Sequence, residues 1–215
     1  MAGAPIVLYG GTFDPVHNGH LAVARAARDA LEAEVRLLPA ADPPHRPPPG
    51  APAPVRVALL RDAVAEEPGL VVDTCELDRS GRSYTADTLD AWRRRAGPET
   101  PLVWLLGADA FRSLPAWYRW PALLDLAHWV PAGRPGYALD ALDPALAREL
   151  AVRRVDAPGA LRTAPGGRIW MLDLPLRDES ATAVRDAIAA GSSGWETQVP
   201  APVAARIRAE RLYGQ

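Results

Sequence analysis

Short apolar runs alternate with amphipathic stretches along nearly the whole chain, and the first forty residues already narrow the folds this permits. Ala4-Pro5-Ile6-Val7-Leu8-Tyr9 is an apolar run ending in Gly10-Gly11, which reads as a buried strand with a tight turn after it. Asn18 to Leu31 then sets Leu21, Ala24, Ala27, Ala30 and Leu31 at helical spacing. Glu34 to Leu38 is a second strand, stopped by Pro39. Strands alternating with helices call for an α/β fold built on a parallel sheet.

The rest of the chain continues the pattern. Strands are predicted at 70–74, 101–107, 127–130 and 168–173, and helices at 55–67, 85–95, 144–153, 180–190 and 201–212. Shorter helical stretches run to Leu114 and from Pro121 to Leu126. Residues 39–54 hold eight prolines, which forbid both helix and strand ladder, so this segment is a long loop. Residues 156–167, rich in Pro, Gly and Ala, form another. With 215 residues, no repeat and no clean boundary, the expectation is one domain over 1–215, with a C-terminal helical part from about 176. Ligands of such sheets sit beyond the carboxyl ends of the strands.

Composition excludes several chemistries. All 24 basic residues are arginine, so a P-loop lysine, a Schiff-base lysine and a lysine nucleophile are ruled out. The single cysteine, Cys75, leaves no intrachain disulfide framework and no cysteine metal cluster, and it reads as structural. Net charge is −2, too small to attract nucleic acid or anionic lipid globally. No apolar run approaches the roughly 20 residues of a membrane helix, and the first residues lack the charged region of a leader peptide. A cytoplasmic protein is expected, with no nucleic-acid or membrane partner.

Five segments carry chemistry. Gly10-Gly11-Thr12-Phe13-Asp14-Pro15-Val16-His17-Asn18-Gly19-His20 joins a strand to a helix. Its glycines let backbone approach a ligand, and its two histidines, three apart, share a direction at a helix N-terminus suited to phosphate. A lone His-x-Gly-His is as often a tight turn with two satisfied histidines; the eleven-residue setting favours the phosphate seat. Ser180-Ala181-Thr182-Ala183-Val184-Arg185 supplies an N-cap, hydroxyls and a guanidinium that suit a polyphosphate, although a plain capped helix looks the same. Gly107-Ala108-Asp109 sets a carboxylate after the most buried strand, where it can take a ribose hydroxyl or hydrated Mg²⁺, or simply cap the next helix. Trp117-Tyr118 and Ser83-Tyr84-Thr85 offer aromatics to a flat heterocycle or to the core. Pro43-Pro44-His45-Arg46 and Arg134-Pro135-Gly136 bring cations to the same edge, or to solvent. His128, inside an apolar strand, reads as a core histidine.

Together these segments resemble the bacterial nicotinate-mononucleotide adenylyltransferases, within the His-x-Gly-His nucleotidyltransferase superfamily, over nearly the whole chain. Two departures are visible: Glu179 stands where an apolar residue is usual, and Arg46 where lysine is common. The resemblance implies a Rossmann-like, doubly wound parallel sheet with helices on both faces and C-terminal helices appended. It implies transfer of AMP from ATP to nicotinate mononucleotide, giving nicotinate adenine dinucleotide and pyrophosphate, without a covalent enzyme intermediate. By the same resemblance His17, His20 and Arg185 are catalytic. Ser180 and Thr182 help hold the triphosphate, Gly107 and Asp109 bind the adenosine side, and Gly10, Gly11, Thr12 and Phe13 line the floor. Trp117 stacks on the nicotinate ring, Tyr84, Thr85 and Tyr118 flank its carboxylate, and His45, Arg46 and Arg134 anchor the mononucleotide phosphate. Mg²⁺ arrives with ATP, and a homo-oligomer is compatible with the family.

Other readings remain. A sibling enzyme would use nicotinamide mononucleotide or phosphopantetheine as acceptor. A class I aminoacyl-tRNA synthetase would need a lysine-rich loop and an RNA-binding region, neither present. A non-catalytic sensor would bind ATP without releasing pyrophosphate.

Overall fold

The computed structural model describes residues 3–41, 48–79, 83–133, 142–175 and 177–214. The elements run β1 (Ile6–Gly11), α1 (Asn18–Leu31), β2 (Val35–Pro39), α2 (Ala53–Val64), β3 (Leu70–Val72), α3 (Thr85–Ala96) and β4 (Leu102–Gly107). They continue with α4 (Ala108–Arg112), α5 (Trp120–Leu126), β5 (His128–Gly133), α6 (Pro144–Arg153), β6 (Arg154–Val155), β7 (Ile169–Trp170), β8 (Leu172–Asp173), α7 (Ala181–Ala189) and α8 (Ala201–Ala209).

All pairings among the described strands are parallel, in the order β3-β2-β1-β4-β5-β7-β6, with β8 beside β5. The chain winds outward from β1 to β3, then returns to lay β4 on the other side of β1. That reversal opens a crevice at the carboxyl ends of β1 and β4, where Gly10-Gly11 and Gly107 lie.

Each face of the sheet has its own core. On one, Val7, Val35, Leu37, Val103 and Leu105 pack with Leu21, Ala24, Ala27 and Leu31 of α1, Leu60 of α2, Val184 of α7 and Val203 and Ile207 of α8. On the other, Leu8, Trp104, Leu106 and Trp129 pack with Leu89 and Trp92 of α3, Leu123 and Leu124 of α5 and Leu146 and Leu150 of α6. Strands buried on both faces are why their sequences run continuously apolar instead of alternating.

Several elements differ from the sequence reading, three of them for a reason visible in the chain. The proline-rich loop gives way to α2 already at Ala53, because Pro54 falls in the first turn, where no intrahelical N–H is required. The predicted strand 168–173 is two dipeptides. Trp129 donates its N–H to the Arg168 carbonyl at 2.8 Å, but Pro131, next on that side of β5, has no N–H to continue the ladder. The two-residue β6 carries too little pattern to be read in advance. His128 is the core histidine expected: it is fully buried, Nδ1 accepts the Arg168 N–H at 3.1 Å and Nε2 meets the Ala164 carbonyl at 2.8 Å. Among the described residues no helix is long and apolar enough to cross a membrane.

Candidate active site

The loop after β1 is packed too tightly for side chains at its glycines. A Cβ at Gly10 would lie 2.4 Å from the Trp104 ring, and one at Gly11 2.8 Å from the Phe13 ring. Phe13 takes a left-handed backbone at φ +51°, a conformation costing an L residue roughly 1–2 kcal/mol. Burial of its ring offsets that cost. The ring is 1% exposed and meets Tyr9 and His20 edge-on, with centroids 5.5 and 5.0 Å away. Phe13 therefore supports the histidines from the core; the cleft floor is made by Gly10, Gly11 and Thr12 without its side chain.

His17 and His20 stack at the start of α1, centroids 3.7 Å apart and planes 31° apart. The His17 backbone N–H donates to His20 Nδ1 at 3.2 Å, which leaves the proton of a neutral His20 ring on Nε2. Burial pushes the His17 imidazole down to about 4; Glu179 opposes the fall and Arg177 adds to it. His17 is thus neutral near pH 7, with a buried Nδ1 that has no partner among the described residues.

The N-terminal approach to α7 runs past this pair: a Cβ at Gly19 would lie 3.0 Å from His17 Nδ1 and 3.7 Å from the Glu179 carbonyl. Ser180 caps α7, its hydroxyl accepting the Ala183 N–H at 3.1 Å. Arg185, one and a half turns on, donates to the Asp14 carbonyl at 2.6 Å and lies 3.3 Å from the Thr182 hydroxyl. So α7 delivers Arg185 to the histidine-bearing loop itself. Glu179 does not stand as a bare negative charge there, because Arg177 pairs with it through Nε at 3.0 Å. Arg177, Glu179 and Ala183 border a shallow cleft of about 410 Å³.

A deeper cleft of about 360 Å³ lies at the sheet reversal, lined by Gly10, Gly11, Thr12, Ser83, Tyr84, Thr85, Trp104, Trp117 and Tyr118 among others. Trp117 is fixed as a wall: its indole N–H donates to the Ser113 hydroxyl at 3.1 Å and its ring meets Trp129 edge-on at 6.2 Å. Tyr84 and Tyr118 face each other with centroids 4.8 Å apart. Thr85 opens α3, whose N-terminus has no side-chain cap, so its first N–H groups remain available to an anion. Asp109 does not line this cleft. It pairs with Arg112 at 2.5 Å, and its side chain is 79% exposed at the solvent side of the same edge. His45, Arg46 and Arg134 lie outside the described residues.

Three buried polar residues around the site escaped the sequence reading. Arg56, 1% exposed, holds the carbonyls of Thr12, Ala40 and Ala51 at 2.7, 2.8 and 3.1 Å. Glu76 lines the deep cleft and accepts the Thr88 hydroxyl at 2.8 Å; burial raises its pKa, against the pull of its hydroxyl partners and Arg79. Asp14 accepts hydrogen bonds from the Gly50 and Ala51 amides and the Tyr213 phenol at its carboxylate and from Arg185 at its carbonyl. Only Asp14, inside the histidine motif, had a local signal.

Comparison with known proteins decides the family. The cytidylyltransferase-like family model matches residues 8–187. The chain belongs to this family. A Stenotrophomonas maltophilia protein named probable nicotinate-nucleotide adenylyltransferase is 53% identical over 213 residues, covering 96% of each chain. One of the same name from Aeromonas salmonicida is 48% identical over 217 residues, covering 99% of each. The fold matches Plasmodium falciparum nicotinic acid mononucleotide adenylyltransferase complexed with NaAD, at TM-score 0.75, 13% identity and 98% coverage of both chains. The chain is a nucleotidyltransferase enzyme of Rossmann-like fold, as its motif segments implied.

Proposed function

We infer that this enzyme transfers the adenylyl group of ATP to nicotinate mononucleotide in NAD biosynthesis. The 5′-phosphate oxygen of the mononucleotide attacks the α-phosphorus of ATP. The bond from that phosphorus to the bridging oxygen breaks, and pyrophosphate leaves as nicotinate adenine dinucleotide forms. The observation that carries the reading is a deep aromatic cleft with an uncapped helix N-terminus, floored by the Gly10–Thr12 segment that leads along the chain into the stacked histidines.

The chain's own residues act by positioning and charge neutralisation, as phosphoryl-transfer enzymes generally do. Neutral His17, together with His20, donates N–H groups to the ATP phosphates, and His20 Nε2–H steadies charge developing at the α-phosphate. The start of α7, with Ser180, Thr182 and Arg185, holds the triphosphate and the leaving pyrophosphate. Gly107 and Asp109 border the adenosine side. Trp117 stacks on the nicotinate ring, and the backbone N–H groups of Thr85 and Tyr118 read its carboxylate, favouring acid over amide. His45, Arg46 and Arg134 anchor the mononucleotide phosphate.

Mg²⁺ fits as a companion of ATP, where it supplies charge neutralisation on the phosphates. The nearby carboxylates Asp14 and Glu179 are already engaged by amides, a phenol and Arg177, so the ion would be held by phosphates and water. A cytoplasmic location and a single catalytic domain over the chain are part of this proposal.

The test is pyrophosphate release with ATP and Mg²⁺, offering nicotinate mononucleotide, its amide and phosphopantetheine in turn. Fast release with the acid alone is expected. Faster release with either rival would reassign the acceptor, and ATP binding without release would make the chain a sensor.

A further inference from the structure

Asp14 sits within the histidine motif, yet the transfer itself asks nothing of its carboxylate. The group is 4% exposed. Oδ2 accepts the Gly50 N–H at 2.7 Å, while Oδ1 accepts the Ala51 N–H at 3.1 Å and the Tyr213 phenol at 2.9 Å. Arg185 Nη1 donates to the Asp14 backbone carbonyl at 2.6 Å and stands 3.7 Å from Oδ2. One residue thereby joins the motif loop, the segment leading into α2, the helix α7 and the last turn of the chain, 199 positions away.

The arrangement sets up a competition for Arg185. A buried carboxylate is costly unless its lone pairs are satisfied, and a guanidinium is its strongest partner. Here three neutral donors occupy the carboxylate, and Arg185 is tethered chiefly through a backbone carbonyl. Its ion pair with Oδ2 is therefore loose, at 3.7 Å, and the guanidinium keeps hydrogen-bonding capacity for an incoming anion. The phenol suits this task, because burial and Asp14 push its pKa far up and it remains a donor at every working pH.

We propose that Asp14 and Tyr213 are positioning residues for adenylyl transfer: the C-terminal phenol helps saturate the Asp14 carboxylate, so that Arg185 keeps only a loose ion pair with it and is aimed at the triphosphate instead of being drawn into a tight one. This rests on ATP being the donor substrate. Loss of the hydroxyl leaves Asp14 short of one donor, draws Arg185 towards Oδ2 and weakens its hold on phosphate. Tyr213 is not among the described residues that line the acceptor cleft, so nicotinate mononucleotide should be indifferent.

The experiment is steady-state pyrophosphate release by the full chain carrying Tyr213→Phe, Asp14→Asn or both, varying each substrate at saturating levels of the other. Tyr213→Phe should raise KM for ATP about tenfold, the low end for a hydrogen bond to a charged group, with KM for the mononucleotide within about twofold of the parent. In the Asp14→Asn background the same change should add no more than about twofold, because no carboxylate remains to capture Arg185. An unchanged KM for ATP, equal rises for both substrates, or effects that multiply across the two variants would overturn the proposal. Should Asp14→Asn not fold, the split between substrates in Tyr213→Phe decides alone. A parent that releases no pyrophosphate would instead sink the functional reading, a result distinct from failure of this one.

Discussion

Replacing Arg56 with methionine should destabilise the enzyme far more than its position on a helix suggests. Methionine keeps much of the apolar stem but removes the guanidinium, leaving the carbonyls of Thr12, Ala40 and Ala51 dry. A buried acceptor that loses its partner costs about 1–3 kcal/mol. The gain from no longer burying a cation, which already lowers the Arg56 pKa, offsets part of that. We expect a net loss of about 3–5 kcal/mol, a large part of the roughly 5–15 kcal/mol that holds a domain together. Urea denaturation is the assay. With a slope of about 2 kcal/mol per molar, the midpoint should fall by roughly 1.5–2.5 M at unchanged slope. A fall under about 0.5 M would show that water replaces the guanidinium, and would refute the idea that Arg56 is the internal strut of the active-site loops.

Other consequences follow from the same geometry. His20→Ala should lower turnover by about 10² to 10³ with the fold intact, as loss of a pre-organised donor does; a loss under about tenfold would remove His20 from the chemistry. Trp117→Ala should raise KM for nicotinate mononucleotide much more than KM for ATP, and equal effects would refute stacking. Stability should depend on pH through His17, whose folded pKa of about 4 lies below the ordinary 6.5. The unfolded chain then binds the proton more readily, so this contribution is complete above about pH 6.5 and fades as pH falls towards 4. Full loss amounts to about 3 kcal/mol, of which about 2 should be gone by pH 5. His128, also held neutral by burial, acts in the same direction. Flat stability between pH 7 and 5 by chemical denaturation would contradict the burial of a neutral His17.

What could be read in advance was what repeats locally. Strand and helix periodicity placed nearly every long element, since β1, β2, β4 and β5 are apolar runs and α1 has a clean buried stripe. The motif around His17 and His20 and the cap at Ser180 were legible because capping and turn chemistry act over three or four residues. Glycine spacing was legible too, but its cause was not: Gly10 is small because Trp104, from a different strand, occupies its side-chain space. The pairing of Asp109 with Arg112, three residues on, was within reach. Arg56, Tyr213 and the contacts that Asp14 makes outside its motif were not, because these pairs reach across up to 44 positions for Arg56 and 199 for Asp14 with Tyr213, and no periodicity marks them. The split between β7 and β8 likewise depends on a proline in another strand.

The proposed transfer is direct, between two substrates held by positioning groups, with no covalent stop on the protein. ATP labelled at the α-phosphorus tests it in one measurement, with nicotinate mononucleotide as acceptor and the products separated. The account predicts that all transferred label appears in nicotinate adenine dinucleotide and none on the protein, whether or not acceptor is present. Label trapped on the chain in the absence of acceptor, or hydrolysed to AMP in its presence, would contradict it.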